Sequence, residues 1–228
     1  MAFFVVVKIQ YCSTTTSWMS STPLRHFVAT RLELGGWVPG HGAFHWFAGG
    51  DGCTEHRRVF DQVGEHTVGR IAATQVRWAD AELDGESLFD ICDSDSQGLY
   101  EVYRTLTNKK GKIRADLKTY EVLDHVIFVY RIVLHPDVAE YRKGILEAMI
   151  TLFGHESLAV MWRDTGEFSE AELAELGFSK IAGEELIFRH SAFKTPYCEK
   201  HPQGLDVDFV AGPQHEAWVN EQWGTGGR

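Results

Sequence analysis

Cysteine is sparse and scattered in this chain. Cys12, Cys53, Cys92 and Cys198 are the only four, and none stands in a CxxC pair. That excludes a disulfide framework and fits a reducing compartment. Basic residues are the minority, 22 against 32 acidic ones, for a formal net charge of -10. Nonspecific binding to nucleic acid or to an anionic membrane rewards the opposite balance. A cationic substrate such as an amine fits the acidic balance, as does a plain solvated acidic surface. No apolar run approaches the roughly 20 residues that span a bilayer. The opening MAFFVVVKIQ is apolar but short, with no basic start and no small-residue cleavage site, so it reads as a strand rather than a leader. The expectation is a soluble cytoplasmic protein. Neither a GxSxG nucleophile elbow nor a GxGxxG dinucleotide fingerprint occurs. His41, His45, Cys53 and His56, and separately Cys198 and His201, supply only HxxxH and CxxH fragments, so no metal is expected.

What is present is enough apolar material for a sizeable core, 44% of 228 residues, with 12% aromatic. Crowded β-branched and aromatic residues predict strands over 3–10 and 27–34. Between 35 and 52 lies a segment rich in Gly, His and aromatics (Trp37, Phe44, Trp46, Phe47), too broken for regular structure and long enough for a functional loop. Alternation predicts a strand over 66–78, and helical spacing predicts a helix over 88–106 with Asp93 or Ser94 as a cap near its middle.

The densest signal runs from Asp124 to Met149. It reads as a buried strand over 126–134, a His-Pro-Asp turn, a short basic loop ending at Gly144, and an amphipathic helix over 145–153. A helix start leaves backbone N–H groups unpaired, which together with the helix dipole suits a phosphate. A strand over 158–162 follows. Then comes a helix with the Ser169–Glu172 capping-box pattern, stopped at Gly177, and a strand over 185–189. The tail from 191 carries isolated aromatics, and its last residues are expected to be disordered.

This order, carried by RIVLHPD (131–137), Gly144 with ILEAMITLFG behind it, LAVMW (158–162) and AELGFSKIAGEELIFR (174–189), resembles the GNAT superfamily of acyl-CoA-dependent N-acyltransferases. VGRIAATQVRW and LFDICDSDSQGLYEVYRTL resemble an earlier strand and helix of some members. The resemblance divides the chain into a GNAT-like core at 66–190, an N-terminal extension at 1–65 and a C-terminal extension at 191–228. It departs from the family at two places. The cofactor motif Arg/Gln-x-x-Gly-x-Gly/Ala finds Ala139 at its first position and Arg142 at its first glycine, and Gly144 alone keeps the pattern. Leu173 stands where many members place a proton-donating tyrosine.

The resemblance implies an α/β (α+β) fold with a mixed, twisted central sheet flanked by helices. Two neighbouring parallel strands, 126–134 and 158–162, would splay to admit the acyl-pantetheine arm. Backbone groups at Val133 and Leu134 would bond that arm. Arg142, Lys143, Gly144 and Ile145 would hold the pyrophosphate of acetyl-CoA or another acyl-CoA. His125, Tyr130 and His135 are the candidates for the catalytic base, and the acceptor would be a small-molecule or protein amine. His135 has a plainer reading as a brace of its own turn. Two alternatives stay open: a non-catalytic protein of the same fold acting through protein interaction, and a different ligand or chemistry. Self-association as a homodimer is open as well.

Overall fold

The computed structural model describes residues 6–12, 27–35, 68–83, 85–117, 123–153, 157–201 and 212–225. Loop residues 36–52, with the four aromatics named above, lie outside these, as do Cys53, His56 and residues 226–228.

Among the described residues the architecture is a mixed α/β sheet of seven strands flanked by helices, in the order β1-β2-β3-β4-β5-β7-β6. Strands β1 (Val6–Cys12), β2 (Phe27–Gly35) and β3 (Gly69–Val76) join antiparallel to β4 (His125–Leu134). The strand pairing β4 on its other side, β5 (Ser157–Trp162), is parallel to it. A parallel pair needs a crossover, and helix α4 (Arg142–Phe153) supplies it. Strand β7 (Leu186–His190) runs antiparallel to β5, and the two-residue β6 (Ser179–Lys180) closes the edge.

The centre of the sheet is buried on both faces, which explains why VIFV (126–129) and LAVM (158–161) are unbroken apolar runs. One face carries Ile127, Val129, Ala159, Met161 and Ile187 against Leu146 and Ile150 of α4 and Leu173 of α5 (Glu170–Glu175). The opposite face carries Val126, Phe128, Leu158, Val160 and Leu186. These meet Trp78 of α1 (Trp78–Leu83), Ile91 of α2 (Leu88–Asp95), and Leu99, Val102 and Leu106 of α3 (Gln97–Leu106).

Three sequence expectations are revised, and the tail gains helices. The single helix over 88–106 is two helices, because Ser96 is extended (φ -162°) and its hydroxyl caps the second by accepting from the Leu99 amide at 3.2 Å. The strand over 66–78 ends at Val76, and Trp78 already opens α1. The basic loop before Gly144 is instead a 3-10 turn, Pro136–Tyr141, that runs directly into α4 at Arg142. The tail forms α6 (Pro196–Lys200), capped by Thr195, and α7 (Pro213–Thr225). No helix among the described residues is long and apolar enough to cross a membrane.

A buried ion pair ties α4 to the sheet. Arg189 of β7 pairs with both oxygens of Glu147, one at 3.0 Å from Nη2, and donates to the Leu176 carbonyl at 2.8 Å. The free thiol of Cys198 in α6 donates to Glu147 at 2.9 Å. A carboxylate this buried survives only because its lone pairs are filled. Removing the cation alone, as in Arg189→Met, is expected to cost about 3–5 kcal/mol in urea denaturation. The double variant Glu147→Leu/Arg189→Met is expected to recover most of that loss.

Candidate functional site

Strand β4 is irregular at one point. In its ladder with β3, Ala72 faces Arg131 while Ala73 faces Val129, so Tyr130 is the extra residue of a bulge. This β-bulge switches the side-chain alternation. Before it Ile127 and Val129 face the α4 side; beyond it Ile132 and Leu134 do. The ladder to β5 pairs His125–Val129 with Ser157–Met161 and stops immediately before the bulge. The two parallel strands therefore part at Tyr130, and Tyr130–Leu134 continue without β5.

The segment after β5 lies against the parted half of β4. Its 3-10 turn, Thr165–Glu167, has two successive residues in the left-handed region, Gly166 (φ 76°) and Glu167 (φ 56°). At Gly166 a Cβ atom would fall 2.7 Å from the Phe168 ring and 2.9 Å from Ile132 Cδ1, so glycine alone fits. A non-glycine residue at positive φ is held there by its surroundings, and such strain gathers at functional sites. Phe168 is buried, and the Arg142 guanidinium lies 5.6 Å from its ring centre.

Arg142 and Lys143 occupy the first turn of α4, and both have carboxylate partners on α5. Arg142 donates to both oxygens of Glu172, at 2.7 and 2.8 Å from Nη2. Glu172 also closes the capping box, accepting from the Ser169 amide at 2.9 Å and hydroxyl at 2.8 Å. The Arg142 guanidinium, assisted by Ser169, holds the Glu172 carboxyl at about 2, well below its ordinary 4.5. Lys143 and Lys200 both reach Glu175, each at 2.6 Å, and hold its carboxyl at about 2 as well. The Arg142 amide donates to the Ala139 carbonyl of the preceding turn. Gly144 and Ile145 are buried, Ile145 in the core.

The three candidate bases do not converge. His125 starts β4 opposite Ser157, where the strands are still paired, and its buried Nδ1 has no hydrogen-bond partner among the described residues. His135 lies beyond the other end of the strand, ten residues and about 33 Å of extended chain away. Its Nδ1 accepts from the Asp137 amide at 3.2 Å, which makes it the cap of its own turn. Burial and the neighbouring His215 lower its pKa below 6.5. Tyr130, 41% exposed, is the candidate that sits at the parting point. Val133 and Leu134 lie on the parted half, paired to Arg70 and Gly69 of β3. Leu173 is buried in the core.

Sequence reasoning missed two sets of residues here. Glu172 and Glu175 were legible as helix residues but not as partners of a turn 30 residues upstream. His215 and Trp218, on α7, lie against His135 with ring centres at 4.6 and 5.1 Å. Nothing in the sequence joins α7 to the His-Pro-Asp turn. Cys198 and His201 serve locally, the thiol on Glu147 and the imidazole over Tyr197 at 4.5 Å.

The depressed Glu172 carboxyl makes an acid prediction. Folding binds that proton more weakly than the unfolded chain does. Its stabilisation is therefore fully present above pH 4.5 and lost as the pH falls through about 2. The thermal midpoint is expected to drop across this window, and to drop less in Glu172→Gln, as followed by circular dichroism.

Comparisons with known proteins identify no relative: no family model matches the chain, and no curated protein and no solved structure matches it.

Proposed function

We propose that the chain is a GNAT-fold, acyl-CoA-dependent N-acyltransferase that passes an acetyl or other acyl group to a primary amine. The observation that carries this reading is the parting of β4 and β5 at the Tyr130 bulge. In this reading the backbone N–H and C=O groups of Arg131–Leu134, past the end of the β5 ladder, line the slot for the acyl-pantetheine arm. An extended amide-bearing arm such as pantetheine satisfies such groups as a strand would. The left-handed pair Gly166–Glu167 beside that slot adds local strain of the kind that functional sites retain.

In this reading the chain's work is positioning and polarisation. A β4 main-chain N–H polarises the thioester carbonyl, and the neutral amine attacks its carbon. The amine proton passes to a bound water, because the His135 lone pair at Nδ1 is engaged by the Asp137 amide. Tyr130 borders the reacting groups and orients the amine. The thiolate leaves with no tyrosine acid, since Leu173 is core.

A second reading is favoured by a specific observation. Glu172 and Glu175 neutralise Arg142 and Lys143, so the turn that would hold a pyrophosphate carries no excess positive charge. That suits a non-catalytic protein of the same fold that has lost coenzyme A binding and acts through protein interaction.

Isothermal titration with acetyl-CoA and free CoA separates the two readings. The transferase reading expects micromolar binding, abolished in Arg142→Glu/Lys143→Glu and tightened about tenfold in Glu172→Gln/Glu175→Gln, where the cations are released. No binding up to millimolar ligand, in the wild type and in the glutamine variant alike, overturns it in favour of the second.

A further inference from the structure

We infer that His135, Asp137 and His215 form a binding site for a divalent transition-metal ion of the zinc class, built between the His-Pro-Asp turn and α7. One donor atom from each residue lies within 4.8 Å of the other two. Asp137 Oδ2 is the hub, 3.6 Å from His135 Nδ1 and 3.3 Å from His215 Nε2, and an ion bound here takes over the Nδ1 lone pair that otherwise accepts from the Asp137 amide at 3.2 Å. Donors at ~2.0 Å around a tetrahedral zinc ion stand about 3.3 Å apart. Two edges of the ligand triangle are thus close to the required length, and the edge between the two imidazoles lies within 4.8 Å. The Asp137 side chain, 58% exposed on a turn, can swing to complete the shell around the two more enclosed imidazoles.

The donor chemistry selects the ion. Two imidazoles and one carboxylate suit a borderline ion such as Zn²⁺, whereas Mg²⁺ and Ca²⁺ favour all-oxygen shells. His215 has an outer partner of the kind metal-bound histidines use. Its Nδ1 lies 3.2 Å from the Gly212 carbonyl, so an Nδ1–H can donate there while Nε2 turns its lone pair to the ion. The Gly212 amide, 2.8 Å from the same nitrogen, serves the opposite tautomer, with Nε2–H directed at Asp137. The loop therefore supports both protonation arrangements of the ring. His215 is 5% exposed and Trp218 walls the His135 ring, while Asp137 opens to solvent. The His215 imidazole thus forms a buried floor and the Asp137 carboxylate the solvent-facing mouth of the site.

The inference does not depend on acyl transfer. Two of the ligands come from the turn that follows β4 and the third from a helix 78 residues beyond Asp137. A bound ion would clamp α7 to the sheet, in addition to Arg70–Asn220 at 2.5 Å, Arg131–Gln222 at 2.8 Å and the Trp223 ring beneath Arg131 at 4.4 Å.

The test titrates the full-length, tag-free chain with Co²⁺ and Zn²⁺. Visible d–d absorption reads Co²⁺ directly, and competition with a chelating dye reads Zn²⁺. One ion per chain at micromolar affinity or tighter is expected. Asp137→Asn and His215→Gln should each weaken it by more than about tenfold, with His201→Gln unchanged. Asp137→Asn keeps the main-chain amide that caps the turn, so its fold is preserved and a negative result is interpretable. Hydrogen exchange across 213–225 should slow on adding Zn²⁺ to the wild type but not to Asp137→Asn. Absence of binding at millimolar metal, or binding that Asp137→Asn and His215→Gln leave intact, overturns the inference.

Discussion

The constraint on which the rest of the molecule depends is the single extra residue in β4. Up to Val129 the strand is sealed, with β3 and β5 on its edges and apolar layers on both faces. Tyr130 ends that regime. The inserted residue turns the following side chains over, so Ile132 and Leu134 keep the α4 face filled although the parity has changed. It also ends the registry with β5, because a parallel ladder needs both backbones to keep the same pleat. Arg131 is then available to α7, and Ile132 becomes the surface onto which Gly166 and Phe168 fold.

Charge has been arranged around that opening with economy. The chain carries ten more acidic than basic groups, yet its first turn of α4 is basic and its α5 is acidic, and the two have been matched to each other. Glu172 serves two structures at once, as the third residue of its own helix and as the counter-ion of the neighbouring one. These part-buried ion pairs remain partly screened by solvent, which limits the stability they add. Their effect is on selectivity: an anion approaching α4 has to compete with carboxylates that are already hydrogen-bonded in place. Deep in the core, the Glu147–Arg189 pair is a different matter, since neither partner can be removed without stranding the other.

Much of the fold was legible where periodicity and burial agree. The runs at 126–134 and 158–162 read as buried strands because both faces are covered. The Ser169–Glu172 box announced its helix because the cap is local. The misses have equally definite causes. Ser96 splits the helix over 88–106 by an extended backbone that apolar spacing does not report. The last helix escaped notice because its anchors to the sheet are chiefly polar: Asn220 to Arg70, the Gln222 carbonyl to Arg131, Trp223 under a guanidinium. A bulge leaves no trace in composition either. His125, Tyr130 and His135 look equivalent in sequence, and only the pairing register separates the paired end from the parted one. The companions of Arg142 and of Asp137 are 30 and 78 residues away, beyond the reach of any local pattern.

The far edge of the sheet has a consequence for how copies of this chain behave together. Strand β6 is two residues long, both exposed, and its Lys180 is already paired with Glu170 at 2.9 Å. An edge that short presents almost no ladder for a second chain to extend, and a charged lysine on it makes docking costlier still. On this side the sheet ends without offering a template, so the long apolar strands at its centre stay shielded from the cross-chain pairing that turns a concentrated solution of exposed strands into fibres.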